Sequence, residues 1–295
     1  VADITTGDFL VTEVSTDRAL FDEINKFSPA EVICNDAFSM SGISLEDLKD
    51  RYHFTVSALD SHFFQDESCR KVLREHFKVG SLEGLGLGDY DCGVIAAGAV
   101  LQYLYETQKS TLDHLTTIVP YATGNYMVLD SSTRRNLELL ETMREKQKRG
   151  SLLWVLDKTR TAMGARLLRT WIEQPLISRE EILKRQNAIE ELNLNYISRE
   201  ELGEYLNPVY DLERLIGRIS YKTANPRDLL AFRNSIAMVP HIKRLLGEFT
   251  SDALKELEQE LDPLEDLEDL ITRAIVEEPP ITVREGGMIR DGYNE

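Results

Sequence analysis

The stretch that most constrains this chain is Gly150 to Leu176, GSLLWVLDKTRTAMGARLLRTWIEQPL, where apolar residues recur at helical spacing on both sides of one polar break. Leu152, Leu153 and Leu156 precede the break, and Leu167, Leu168, Trp171 and Ile172 follow it, at i, i+1, i+4 and i+5. That spacing lays a wide apolar face along a helix and excludes a strand. Thr159, Arg160 and Thr161 fill the gap. A threonine hydroxyl takes the first free amides of a helix, so Thr161 is the expected N-cap. Pro175 closes the segment, because the residue before a proline is pushed out of the α region. Two helices meeting at a turn is the local expectation.

From Asp130 onward the same period continues and the chain reads as almost wholly helical. Ser178 with Glu181 and Ser198 with Glu201 have capping-box spacing, ahead of Ile182 and Leu202 respectively. Val209, Leu212, Leu215, Ile216 and Ile219 form a stripe. Asn225-Pro226 and Asp262-Pro263 each read as a cap followed by a first-turn proline, and Pro240 as a kink or stop. Leu264, Leu267, Leu270, Ile271, Ala274 and Ile275 are the expected buried face of the last helix, with a strand and turn leading outward over Ile281 to Tyr293.

The N-terminal part alternates strand and helix signals. A hairpin turning at Thr6-Gly7 is expected first, then helices over Asp17 to Lys26, Leu45 to Asp50 and Ser61 to Lys78. Strands are expected at Glu31 to Cys34 and His53 to Val56. Gly80 to Gly88 reads as a loop. Asp89 to Thr107 is apolar nearly all round and rich in alanine and glycine, so it belongs at the centre of an α/β layer, packed closely on a sheet. The boundaries are therefore an α/β domain over 1–110, a linker over 111–129 and an all-α domain over 130–295.

Four blocks in order carry a resemblance. They are LDSSTRRNLELL (Leu129 to Leu140), the D-x-T-x-T-x-x-G-x-R-x-L-R-x-W run of Asp157 to Trp171, DLERLIGRIS (Asp211 to Ser220) and NPRDLLAFRNSI (Asn225 to Ile236). Together they resemble the MutS family of DNA mismatch-recognition ATPases over essentially the whole chain. The resemblance implies an RNase H-like connector domain followed by the helical core, or lever, domain, truncated before the clamp. It implies a cytoplasmic bacterial parent that binds mismatched double-stranded DNA, recruits MutL, forms a homodimer and uses ATP and Mg. The chain opens on Val1 within a strand signal and closes on GMIRDGYNE, so both ends read as cuts and an excised fragment is expected.

No chemistry is expected within the chain itself: no catalytic, cofactor or metal residue is assigned, and the residues that meet a partner are left open. A G-x-x-x-x-G-K-[ST] phosphate loop is missing, and Gly84, Gly86, Gly88 and Gly93 read as a turn. Phe21-Asp22-Glu23 spells the family's F-x-E but falls in an amphipathic helix, with Phe21 a core residue. The alternative function is an RNase H-like metal-dependent nuclease with a helical appendage, using Asp3 with Asp60 or Asp91. Cys34, Cys69 and Cys92 are read as buried free thiols, and His53, His62, His76, His114 and His241 as core-edge or surface residues.

Composition bears on partners. With 42% hydrophobic and 29% charged residues the chain is of the soluble globular type, without an 18-residue apolar run or a secretory signal. A net charge of -17 opposes contact with nucleic acid, yet Arg134 to Arg169 holds ten basic residues against four acidic. Asp252 to Glu278 holds eleven acidic against two basic, so the basic stretch could lie near a backbone phosphate or pair with the acidic one, and solvated faces with intramolecular pairing are the leading expectation.

Overall fold

The computed structural model describes residues 1–40, 54–109, 112–121, 126–280 and 283–293. The chain divides into two compact units, Val1–Gly124 with Val128–Leu137, and Asn125–Met127 with Glu138–Glu295.

In the first unit β1 (Ala2–Asp3) and β2 (Asp8–Val11) pair antiparallel around Gly7, whose φ of 85° suits the tight turn. Thr16 caps α1 (Asp17–Phe27), and Ser28 ends it in the left-handed conformation before Pro29. β3 (Glu31–Asn35) runs parallel to β4 (Thr55–Leu59), with the short α2 (Asp36–Ser39) leaving the end of β3. The strand expected at His53 thus begins two residues later, and the helix expected over Leu45 to Asp50 lies outside the described residues. The helix expected over Ser61 to Lys78 is broken at Gln65 into a 3-10 turn, Ser61–Phe64, and α3 (Asp66–Phe77). Within the glycine loop Leu82–Leu85 forms another such turn.

α4 (Cys92–Gln108) is the centre of this unit, as its all-round apolarity required, but its closest neighbour is a helix and not a sheet. A methyl group at Gly98 would lie 2.4 Å from the Cβ of Cys69 on α3, so only glycine permits this approach. Leu73 of α3 and Leu101 of α4 are completely buried, each worth about 2 kcal/mol of burial. The stretch read as the start of a linker is instead part of this core. Leu112, Leu115 and Ile118 are buried, and β5 (Val119–Pro120) adds in parallel to β2. Leu112, Leu115 and Ile118 recur at i, i+3 and i+6 within a stretch whose polar residues and Pro120 read as punctuation. His76 secures the segment through Tyr105 Oη (2.6 Å) and the Leu115 carbonyl (2.7 Å). Among the described residues the strands form two small sheets, β1-β2-β5 and β3-β4, in place of one central layer.

The short α5 (Ser131–Asn136), capped by Asp130, also belongs to the first unit. Residues 137–151 then run through turns, contrary to the expected helix, because Glu138 and Lys146 sit at positive φ. In the second unit α6 (Leu152–Leu156) and α7 (Ala162–Glu173) meet at the predicted turn. They are followed by α8 (Arg179–Leu194), α9 (Tyr196–Leu206), α10 (Leu212–Ser220), α11 (Pro226–Ile236), α12 (Val239–Leu246), α13 (Asp252–Glu260) and α14 (Glu265–Ala274).

Two cores hold these helices. Ala188, Ile242, Leu245, Leu246, Phe249 and Leu254 join α8, α9, α12 and α13, while Leu215, Phe232 and Ile236 join α10, α11 and α14. Asn225 and Asp228 complete a reciprocal capping box on α11. Ser178 makes only its own half, accepting from the Glu181 amide. Ser198 lies inside α9, whose cap position is Asn195, so the second expected box does not form. The helix begun at Pro226 ends at Ile236, and Pro240, expected to kink or end it, lies in the first turn of α12, where proline is compatible with helix. Leu264, at φ 53°, precedes α14 without a side-chain cap, although Asp262 Oδ1 accepts from its amide. The C-terminal stretch folds back where an outward course was expected: Ile289 bridges Ile275 after a turn at Gly286-Gly287.

Candidate functional site

The densest polar constellation lies where α6 meets α7, on the D-x-T-x-T-x-x-G-x-R block. Asp157 Oδ1 accepts from the Thr159 hydroxyl (2.7 Å) and amide (3.2 Å), which folds the chain back on itself after α6. Lys148 closes the other carboxylate oxygen. Held first by Lys148 and then by Thr159, the Asp157 carboxyl is pushed down to about 2. Thr161 is the cap that its position predicted, accepting from the Gly164 amide at 3.0 Å. Gly164 itself sits beneath that hydroxyl, and a Cβ there would come within 3.1 Å of it.

One turn further, Arg166 points away from this bend to the start of α10. Its Nη1 and Nη2 donate to the two oxygens of Asp211, both at 2.7 Å, and its Nε donates to Glu213 at 3.1 Å. A planar guanidinium matches a carboxylate in this two-pronged way, which fixes direction as well as charge. The Asp211 carboxyl is lowered mainly by Arg166, and the Arg166 guanidinium is raised mainly by Asp211. Asp211 also caps the N-terminus of α10 by accepting from the Arg214 amide (3.4 Å), so one carboxylate starts a helix and anchors a second. A similar tie joins α8 to α13: Glu191 accepts from Thr250 and Ser251 amides at 2.7 and 2.8 Å. These contacts fix helix ends and their neighbours in place. They offer no nucleophile and no acid–base pair.

The residues considered for chemistry are dispersed. Asp3 turns back onto Thr5 and Thr6 within the hairpin, and Asp91 pairs with Arg70 at 3.1 Å. Asp60 is exposed ahead of the 3-10 turn, so of the carboxylates that a two-metal nuclease would gather, Asp3 and Asp91 are held by other partners and Asp60 faces solvent. Among the described residues no three His, Cys, Asp or Glu side chains are grouped for a metal ion. Glu23 of the F-x-E triplet accepts from Tyr121 Oη (2.6 Å) and Lys26, inside the first unit, and Phe21 is half-buried.

His62 is exposed beside Phe63, and His241 stacks on Tyr205. His114 is buried, not peripheral, with Nε2 on the Ile4 carbonyl at 3.0 Å; its burial followed from the hidden segment around Leu115. His53 lies outside the described residues. Cys34 and Cys69 are buried as expected, and burial lifts the Cys69 thiol to about 11. Cys92 is exposed at the first position of α4. The basic stretch finds partners other than the acidic one: Lys148 takes Asp157, and Arg166 takes Asp211 and Glu213. Asp211 and Glu213 were beyond sequence reasoning, which saw the DLER block but had no signal to join it to an arginine 45 residues earlier.

Sequence profiles match both units: MutS domain II over residues 1–116 and MutS domain III over residues 132–294. The chain belongs to the MutS family. It is 60% identical over 292 residues to the DNA mismatch repair protein MutS of Lachnoclostridium phytofermentans, a match covering 99% of this chain and 31% of that protein. The MutS proteins of Ruminiclostridium cellulolyticum and Acetivibrio thermocellus are 46% and 44% identical, again over 99% of this chain and over 33% and 34% of theirs. The chain thus spans about a third of the length of the MutS relatives it matches. Domain III is the part that carries the Asp157–Arg166 bend and its anchor on α10.

Proposed function

We propose that this chain is the connector and core section of a DNA mismatch repair protein, acting as the mechanical link between DNA engagement and an ATPase domain carried elsewhere in the polypeptide. The observation that carries the reading is the 60% identity over 292 residues to a protein named as the DNA mismatch repair protein MutS. The geometry supports it: a charged fork from α7 to α10 and a shared cap from α8 to α13 tie helices far apart in sequence into a body able to pass on displacement. In this reading ATP and Mg belong to the parent protein, mismatched double-stranded DNA is the parent's ligand, and MutL and a second copy are its partners. The first unit is the RNase H-like connector, a reading supported by its antiparallel hairpin, its parallel β3–β4 pair and the helices packed with them. No helix among the described residues is long and apolar enough to cross a membrane, which is compatible with a cytoplasmic setting.

A chimera tests the proposal. The matched section of the Lachnoclostridium phytofermentans MutS is replaced with this chain, and spontaneous mutation rate is measured in a strain lacking its own MutS. A rate restored to that of the parental protein is expected; a rate equal to that of the empty strain contradicts it.

A further inference from the structure

We propose that the turn between α5 and α6, residues 143–150, is a docking point for the phosphate backbone of duplex DNA. The inference rests on the reading of this chain as part of a DNA-binding protein, and it adds a contact locus in the second unit. Four of the six residues Arg144 to Arg149 are basic, in a chain whose net charge is -17. An acidic surface repels a polyanion, so any approach needs a local concentration of cations of this kind.

The turn is built to hold its shape. The Glu138 carboxylate accepts from the Met143 amide at 2.7 Å, and the Glu138 and Leu139 carbonyls accept from the first amides of α6. Thr142 and Gln147 close the loop by a backbone bond of 3.0 Å, Lys146 adopts a positive φ, and Gly150 turns back at φ 96°. Ser151 is almost wholly buried. Its hydroxyl donates to the Lys148 carbonyl at 2.7 Å while it caps α6 through the Trp154 amide.

Within this frame the charges are sorted. Lys148 is spent on Asp157, and Glu145 accepts from the Gln147 amide group. Arg144, Lys146 and Arg149 are exposed, and among the described residues none of them enters an ion pair. A protein partner is disfavoured because interface centres are apolar and poor in lysine, whereas Met143 is the one exposed large apolar side chain of the turn and the six residues after it are all charged or polar. Short lysine- and arginine-rich runs with guanidinium forks suit phosphate instead.

The test uses the full MutS polypeptide carrying this section, with Arg144→Ala, Lys146→Ala and Arg149→Ala combined and Lys148 retained. Affinity for a fully paired duplex is measured across a salt series. Losing three phosphate contacts is expected to lower the slope of log affinity against log salt by about 2 to 3. Affinity at low salt should fall by at least about tenfold, while the preference for a mispaired duplex is kept, because backbone contacts carry no base information. The companion variant Arg144→Lys with Arg149→Lys should keep the unaltered slope, which separates loss of charge from damage to the fold. An unchanged slope in the triple alanine variant overturns the proposal, including the case where it loses affinity for a protein partner instead. Because the readout is a fully paired duplex, it decides the question even if the unmodified protein shows no mispair preference, a result that would sink the functional reading alone.

Discussion

Asp157 shows how one side chain can organise a bend. It receives Thr159 on one oxygen and Lys148 on the other, and its carboxyl is held down to about 2 against an ordinary value of 3.8. A carboxyl whose folded pKa is depressed contributes stability above its unfolded pKa and loses it as pH falls through the folded one. Asp157→Asn should therefore unfold at lower denaturant concentration than the unmodified chain at pH 7, with the gap closing between about pH 4 and pH 2. Urea titrations at stepped pH check this, and a gap independent of pH would show that the charge on Asp157 does not stabilise the bend. Thr161 was legible in advance, because a cap depends on the two or three residues that follow it. Lys148 was not, since its partner is chosen by a fold-back over nine positions that no helical period encodes.

At the scale of elements the strongest tie is the fork from α7 to the head of α10. Arg166→Lys keeps the charge but replaces two parallel bonds with a single point contact. The expected cost is about 2 kcal/mol, the usual worth of a hydrogen bond to a charged group, and it should appear as an earlier unfolding transition of the second unit. An unaltered transition would mean that the fork is a solvated surface pair. The sequence made helices, caps and turns readable wherever the signal was local: Thr161 and Asn225 both cap where their neighbours demanded it. It misled where position in the fold decides. Ser198 has the spacing of a cap, yet α9 begins two residues before it, at Tyr196, behind Asn195. The apolar face drawn through Leu152, Leu156, Leu167 and Trp171 exists as a helical stripe, but those side chains are 38 to 54% exposed and Leu153 is the one tucked in. Periodicity tells which residues share a face, and the neighbours available to cover it are a separate matter. The reverse holds for Leu112, Leu115 and Ile118, which lie in a stretch of linker-like composition and are buried within the first unit.

For the molecule as a whole, the proposed role requires that a change at one site alter the free energy of another, and such coupling is reciprocal between ligands. In the parent protein, nucleotide should change affinity for a mispaired duplex, and the helices of the second unit should carry that effect. Arg166→Leu removes the directional tie that Arg166 makes to Asp211 and Glu213. The decisive measurement is the affinity of the full MutS polypeptide for a mispaired duplex with and without ATP, for the unmodified protein and for Arg166→Leu. The account predicts that each ligand still binds alone while the ratio of the two duplex affinities shrinks about fivefold or more toward unity, within the usual 1–3 kcal/mol range of such coupling. A ratio identical to that of the unmodified protein, in a variant that has lost the expected stability, would contradict the claim that this section relays anything.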